Sequence, residues 1–295
     1  MNCANPKKYA FIFPGAGMSA LQNFLKSDTD STLREKLYEN AQISRYVTGI
    51  DVWNYISSPG SVQNEELTEQ IALHTVNCSI GELLQKQGME PSTICGYSMG
   101  IYSALVYGKA VDFESALDMI QNAYYLMKIS FGEKTGAMAA VIGLNRKELE
   151  GVIASTHTTY PVEIANSNGK YNMIITGIFE DVSSVKKNAE NDGALKVVDI
   201  KVSLPYHHSL LLSDAAEVFL NYLRHVRILD LQIPLISSID QNTITGGSDV
   251  RFELYKNIKR NMSWYTTIEA IAASGVTDFV EVGKNNPLPR CYCFF

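Results

Sequence analysis

Positive charge is in deficit. Lys and Arg total 25 against 31 Asp and Glu, a formal charge of −6. Binding a phosphate backbone needs clustered cations, so this balance excludes nucleic acid as a partner class. No run of 18 apolar residues occurs, and no membrane span is expected. The opening stretch MNCANPKKYAFIFPGAG has two lysines but too short an apolar run before Pro14 for a secretory leader. Cysteine is scarce: Cys3, Cys78, Cys95, Cys291 and Cys293 are odd in number and scattered, which excludes a disulfide framework and points to a reduced, cytoplasmic setting. Cys291 and Cys293 form a lone C-x-C with no partner pair, so no metal site is assigned. Repeats of 20–50 residues and low-complexity segments are also lacking.

What remains is 295 residues, 46% apolar, enough to bury a core without staples and too apolar for a disordered chain. Tyr9–Phe13 is an apolar run stopped by Pro14 and two glycines, the pattern of a buried strand and a turn. Helical spacing follows over 31–40 and 71–87. Ser92–Cys95 reads as a strand, IYSALVYG as a helix, and Asp112 as the N-cap of another helix to Lys128. This alternation predicts an α/β domain with a mainly parallel sheet. The pattern then changes. Strand at 136–144, helix at 145–155, strands at 162–166 and 172–176, helix at 181–191 and strand at 194–202 make the β-α-β-β-α-β order of a ferredoxin-like unit. The expected organisation is a large α/β-hydrolase-like domain, residues 1–135 and 204–295, with a small ferredoxin-like subdomain, 136–203, inserted in it.

Gly96-Tyr97-Ser98-Met99-Gly100 is G-x-S-x-G between a strand and a helix. Glycines there let the chain turn sharply and lift the serine hydroxyl clear of the sheet, which marks Ser98 as a candidate nucleophile. The Met99 N–H would start the helix and aim where an oxyanion develops. A serine needs a base within hydrogen-bond reach. Of the five histidines, His74 falls on an apolar helix, His157 in a polar stretch and His225 beside Arg224 and Arg227. His207 and His208 follow Pro205 at a strand-to-helix passage, and spacing alone does not choose between them. GAGMSA at 15–20 formally satisfies G-x-G-x-x-A, but Pro14 interrupts the strand-to-glycine passage and Glu35, the nearest acidic residue at the right distance, falls in a helical segment. The loop is better suited to offering the Ala16 N–H to an oxyanion.

Together these pieces resemble the malonyl-CoA:acyl-carrier-protein transacylase family, including the acyltransferase domains of polyketide synthases. The family's FPGQGSQ stands here as FPGAGMS, its GHSLG elbow as GYSMG and its EYSALVAAG helix as IYSALVYGK. Its AN-x-NSP signature stands as Ala165-Asn166-Ser167-Asn168-Gly169, its VSxPSH as Val202 to His207, its V-x-W as Met262-Ser263-Trp264 and its EVGPG as Glu281-Val282-Gly283-Lys284. The resemblance implies Ser98 as nucleophile and His207 as base, with the backbone N–H groups of Ala16 and Met99 as oxyanion hole and a main-chain carbonyl, aligned to Ser263, orienting the base. Tyr97, Ala123, Asn166 and His208 would line the substrate pocket. It implies ping-pong acyl transfer through an acyl-Ser98 intermediate, with no bound cofactor, no metal, acyl-CoA or a phosphopantetheinyl acyl carrier protein as substrate and partner, and a monomer.

One position departs from that pattern. Malonyl-specific members carry an arginine for the malonyl carboxylate in the second helix after the elbow. The aligned residue here is Ala123, and no Lys or Arg occurs between Lys109 and Lys128. A bidentate Arg–carboxylate pair is strong and specific, so the reading is an acyltransferase of polyketide or fatty-acid biosynthesis that is not malonyl-selective. An editing acyl-carrier hydrolase of a polyketide assembly line is the alternative, and an inactive carrier-binding scaffold the second. Lys186 and Lys187, or Arg251, Lys256, Lys259 and Arg260, are candidate carrier-docking cations.

Overall fold

The computed structural model describes residues 8–15, 21, 25, 31–57 and 65–283. Ala16, the loop to Ala20, the tail beyond Gly283 and Cys3, Cys291 and Cys293 lie outside the described residues. The chain forms two compact units. One takes in the chain up to Gln121, Arg227–Val250 and the stretch from Thr267; the other takes in Asn122–Val226 and Arg251–Thr266. The second unit thus extends past the 136–203 insert on both sides.

In the first unit, β1 (Tyr9–Phe13) belongs to a sheet completed by β2 (Thr93–Gly96), β7 (Leu235–Ile236), β8 (Thr243–Ile244) and β9 (Asp278–Glu281), in the order β8-β7-β2-β1-β9. β1 runs parallel to β2 and β9, and β2 to β7; only the β7–β8 pair is antiparallel. Ala10 to Phe13 are at most 1% exposed, as a strand covered on both faces requires. The helices of this unit are α1 (Ser31–Thr48), α2 (Val52–Ser57), α3 (Glu65–Lys86), α4 (Gly100–Tyr107) and the first part of α5 (Phe113–Phe131). The Ser115 N–H donates to Asp112 Oδ1 at 2.7 Å, so Asp112 does cap α5. α2 and β8 were missed, being only six and two residues long.

In the second unit, β3 (Gly136–Ile142), α6 (Arg146–Ser155), β4 (Glu163–Gly169), β5 (Asn172–Ile178), α7 (Phe179–Asn191) and β6 (Lys196–Ile200) build an antiparallel sheet of order β4-β5-β3-β6. That is the ferredoxin-like order. Leu149, Val152, Val182, Val185 and Ala189 from the two helices bury against Ala139, Val141 and Ile175 of the sheet. α6 starts at a capping box: Asn145 Oδ1 accepts the Glu148 N–H, and the Glu148 carboxylate accepts the Asn145 N–H. α8 (Ser213–Leu223) completes this part of the chain, and α9 (Gly247–Lys259) and α10 (Trp264–Ala273) each continue from one unit to the other. No helix among the described residues is long and apolar enough to cross a membrane.

Candidate active site

β2 ends at Gly96 and α4 begins at Gly100, leaving three residues for the reversal. Ser98 takes the strain, at φ 51°, in the left-handed region that costs an L-residue roughly 1–2 kcal/mol. The glycines make this possible by having no side chain. A Cβ on Gly96 would lie 2.2 Å from the Ile101 nitrogen, one on Gly100 2.1 Å from the Phe13 oxygen, and one on Gly15 2.3 Å from the Tyr97 oxygen. The β1 end is thus pressed against the elbow, and the Tyr97 N–H donates to Phe13 O at 2.9 Å. Ser98 is half-buried. The Gly100 and Ile101 amides turn back to the Tyr97 and Ser98 carbonyls, whereas no carbonyl among the described residues takes the Met99 N–H. It projects at the N-terminus of α4, where backbone donors and the helix dipole both favour negative charge.

The loop that follows β1 is held from below. Asn77 Nδ2 on α3 donates to the Pro14 carbonyl at 3.0 Å, and His74 Nδ1 meets Ser103 Oγ at 2.9 Å. His74 is fully buried and stacked on Phe113; burial pushes its pKa down to about 3. It is a core histidine, as expected. His157 and His225 are exposed.

In the second unit, His207 also sits in the left-handed region, at φ 63°. It is 5% exposed. Burial disfavours the imidazolium and pushes the pKa down to about 4, while main-chain hydrogen bonds to Arg260 and Asn257 work the other way. Only acceptors favour the protonated ring, so these partners are the two carbonyls. At neutral pH His207 is therefore uncharged, the form a general base needs.

A family profile described as Acyl transferase domain matches residues 11–284. The chain belongs to the acyl transferase domain family. Members transfer acyl groups, and the chain is an enzyme of that kind. It is similar to the malonyl CoA-acyl carrier protein transacylases of Haemophilus influenzae, 26% identical over 285 residues covering 96% of this chain and 90% of the relative, and of Escherichia coli K12, 27% identical over 283 residues covering 95% and 90%. Among solved structures it is similar to the malonyl CoA-acyl carrier protein transacylase from Coxiella burnetii, with TM-score 0.87, 28% identity, and 97% of this chain and 90% of that one covered. It is also similar to a malonyl-transacylase in complex with its type II polyketide synthase acyl-carrier protein, with TM-score 0.84, 25% identity, and 96% and 91% covered.

For an acyl transferase, several other positions fall differently from the sequence expectation. Main-chain hydrogen bonds of Asn257 and Arg260 act on the His207 ring, and the Ser263 carbonyl accepts the Thr266 hydroxyl at 3.1 Å. α9 runs to Lys259, so the carbonyls of its C-terminal turn have no partner inside the helix. His208 is not available to a substrate. It is fully buried, its Nε2–H donates to Pro161 O at 2.9 Å, and Nδ1 accepts the Leu210 and Leu211 amides at 3.2 Å each. Glu163 lies 3.5 Å from that Nδ1. Glu163 also takes the Ser209 N–H and Oγ–H. Asn166 is 2% exposed and bonded on both sides, Oδ1 accepting the Trp264 N–H at 3.1 Å and Nδ2 donating to Asn168 Oδ1 at 2.7 Å. Ala123 is 4% exposed on α5, and Tyr97 is half-buried at the elbow.

Most of the candidate docking cations are already engaged. Lys186 pairs with Asp199 and Lys256 with Glu253, Lys259 Nζ donates to Ser213 Oγ at 2.8 Å, and Arg251 donates to the Leu223 and Val226 carbonyls. Lys187 and Arg260 are exposed. No cluster of metal-ligating side chains occurs among the described residues.

Proposed function

We propose that the chain is a Ser–His acyltransferase of fatty-acid or polyketide synthesis that loads an acyl carrier protein and does not select malonyl. The observation that carries the reading is the elbow: a serine in the left-handed region at a helix N-terminus, followed by an amide that no carbonyl among the described residues takes. Ser98 Oγ attacks the thioester carbonyl of an acyl-CoA or acyl carrier as neutral His207 takes its proton. The new C–O bond forms, and the N–H groups of Met99 and Ala16 hold the oxyanion. The C–S bond then breaks, and the departing sulfur takes the proton back from His207. A carrier phosphopantetheine thiol repeats the sequence in reverse and leaves Ser98 free.

Selectivity rests on Ala123 and on the absence of Lys and Arg between Lys109 and Lys128. Each charge-assisted hydrogen bond to a carboxylate is worth about 1.5–3 kcal/mol, so a malonyl group without its arginine forfeits roughly 10²-fold in preference. A neutral acyl chain forfeits nothing. One experiment tests both parts: intact mass after mixing with a panel of acyl-CoA and acyl-carrier thioesters, with and without acceptor carrier. Wild type gains one acyl mass on Ser98 and the Ser98→Ala variant gains none. Acetyl and longer chains react with higher kcat/KM than malonyl. Equal labelling of Ser98→Ala overturns the mechanism, and faster malonyl transfer overturns the selectivity. Thioester loss that ignores the acceptor makes the enzyme a hydrolase.

A further inference from the structure

Resting on His207 as the base of that reaction, we infer that Asn261 is a positioning residue: its side-chain amide anchors the peptide whose carbonyl holds the imidazole. The Arg260 carbonyl lies just past the end of α9, where a carbonyl has no partner inside the helix. Its direction is therefore set by what fixes the chain on each side. On the helix side the Arg260 N–H donates to Lys256 O at 2.7 Å. On the other side the first contact is Asn261 Nδ2 donating to Ile164 O at 2.6 Å. Beyond it the chain lies along β4 as a short parallel bridge, Met262 to Asn166. The Met262 N–H donates to Ala165 O at 2.8 Å, the Ser167 N–H to Met262 O at 3.3 Å, and the Trp264 N–H to Asn166 Oδ1. The peptide between Arg260 and Asn261 is thus clamped between a helix end and a sheet edge.

The clamp has one removable part next to the carbonyl. The bridge is main chain, and Asn166 acts three residues further on, at Trp264. Among the described residues, the Asn261 amide ties the residue following Arg260 to β4 through a side chain. Asn261 also lines an open groove of about 320 Å³ together with Arg146, Glu150, Glu163, Ile164 and Ser209. An isosteric change there does not crowd a packed core.

The test is Asn261→Asp, which keeps the shape and replaces the donor by a carboxylate facing the Ile164 carbonyl. Asn261→Ala is made alongside in case the charge disturbs folding. Either variant should lower kcat for acyl transfer roughly 10- to 100-fold, the cost of a misplaced catalytic group, with KM within about twofold. Both are then repeated in a His207→Ala background. A residue acting through the histidine has nothing left to position there, so the residual rate should change less than about twofold. Three results overturn the inference. One is kcat within about twofold of wild type for both variants while His207→Ala retains only a small residual rate; the base reading then stands alone. Another is an equal loss with and without His207, which makes Asn261 merely structural. The third is an active His207→Ala enzyme, which removes the base reading and the inference with it.

Discussion

Ser98 and His207 both occupy the left-handed region, at φ 51° and φ 63°, yet the chain reaches it by different means in the two places. At Ser98 the strain is permitted by what is missing. Three glycines, one from β1's end and two from the elbow, leave no Cβ where backbone already stands, and the serine is left half-buried. At His207 no glycine adjoins. Pro205, Tyr206 and His208 flank it, and the conformation is imposed by contacts: carbonyls of Asn257 and Arg260 on its ring, and a fully buried His208 that ties the next turn to the Leu210 and Leu211 amides and to Pro161. One turn is made by close backbone approach, the other by side-chain hydrogen bonds and burial. The proposed nucleophile needs access to a carbonyl; the proposed base needs a fixed ring and a neutral charge.

The sharpest way to break this contrast is Gly100→Ala. A methyl group there would fall 2.1 Å from the Phe13 oxygen and 2.7 Å from the Pro14 oxygen, both backbone. Neither can move without parting β1 from the elbow. The variant should lose roughly 3 kcal/mol or more of stability, read as a lower midpoint in urea. The fraction that folds should acylate about 10²-fold more slowly because Ser98 is displaced. Gly88→Ala is the control. That glycine is also left-handed, at φ 73°, but nothing lies within 4 Å of its Cβ position, so only the strain of about 1–2 kcal/mol applies.

The same contrast explains what was legible in the amino-acid sequence. A turn made by glycines announces itself, because only glycine fits and the spacing is fixed; Gly96, Ser98 and Gly100 could be read between a strand and a helix. The ferredoxin-like order was equally legible, since short strand-like runs over 136–200 are separated by two helix-like stretches in the order β-α-β-β-α-β. A turn made by hydrogen bonds is silent. Nothing in Pro205-Tyr206-His207-His208 distinguishes a ring held by α9's carbonyls from one turned into backbone amides, and the resemblance to a family was needed to choose.

Acid should distinguish the two turns with a smaller effect. His207 has its pKa lowered from 6.5 to about 4 in the folded chain. Between those values the unfolded chain binds a proton that the folded one refuses. Stability contributed by the neutral ring is complete above pH 6.5 and is lost as pH falls towards 4. The gap corresponds to roughly 3 kcal/mol at most. His74 acts in the same direction, with its pKa lowered to about 3, so the wild-type curve contains both. Urea midpoints at pH 7 and pH 4.5 should therefore fall further for wild type than for His207→Gln, which has no proton to bind. Equal falls would mean that the His207 turn is solvated. The acid limb of kcat/KM should likewise lie well below the ordinary histidine value, because that limb reports the base of the free enzyme.

The smallest effect has the most diagnostic sign. Ser98→Gly removes the left-handed penalty at the elbow, worth roughly 1–2 kcal/mol. It adds backbone freedom to the unfolded chain, costing about 0.4–1 kcal/mol. The difference favours the folded state, so an inactive Ser98→Gly enzyme should melt about as high as wild type or a few degrees higher. His207→Gly relieves the same kind of strain but empties a buried site and strips the ring from the Asn257 and Arg260 carbonyls, leaving buried acceptors unpaired at about 1–3 kcal/mol. It should melt lower. Opposite signs from one substitution at two left-handed residues would separate a turn permitted by glycines from a turn imposed by side-chain contacts. A drop in melting temperature at Ser98→Gly as large as at His207→Gly would show that the serine side chain holds its own turn, and the distinction between the two would fail.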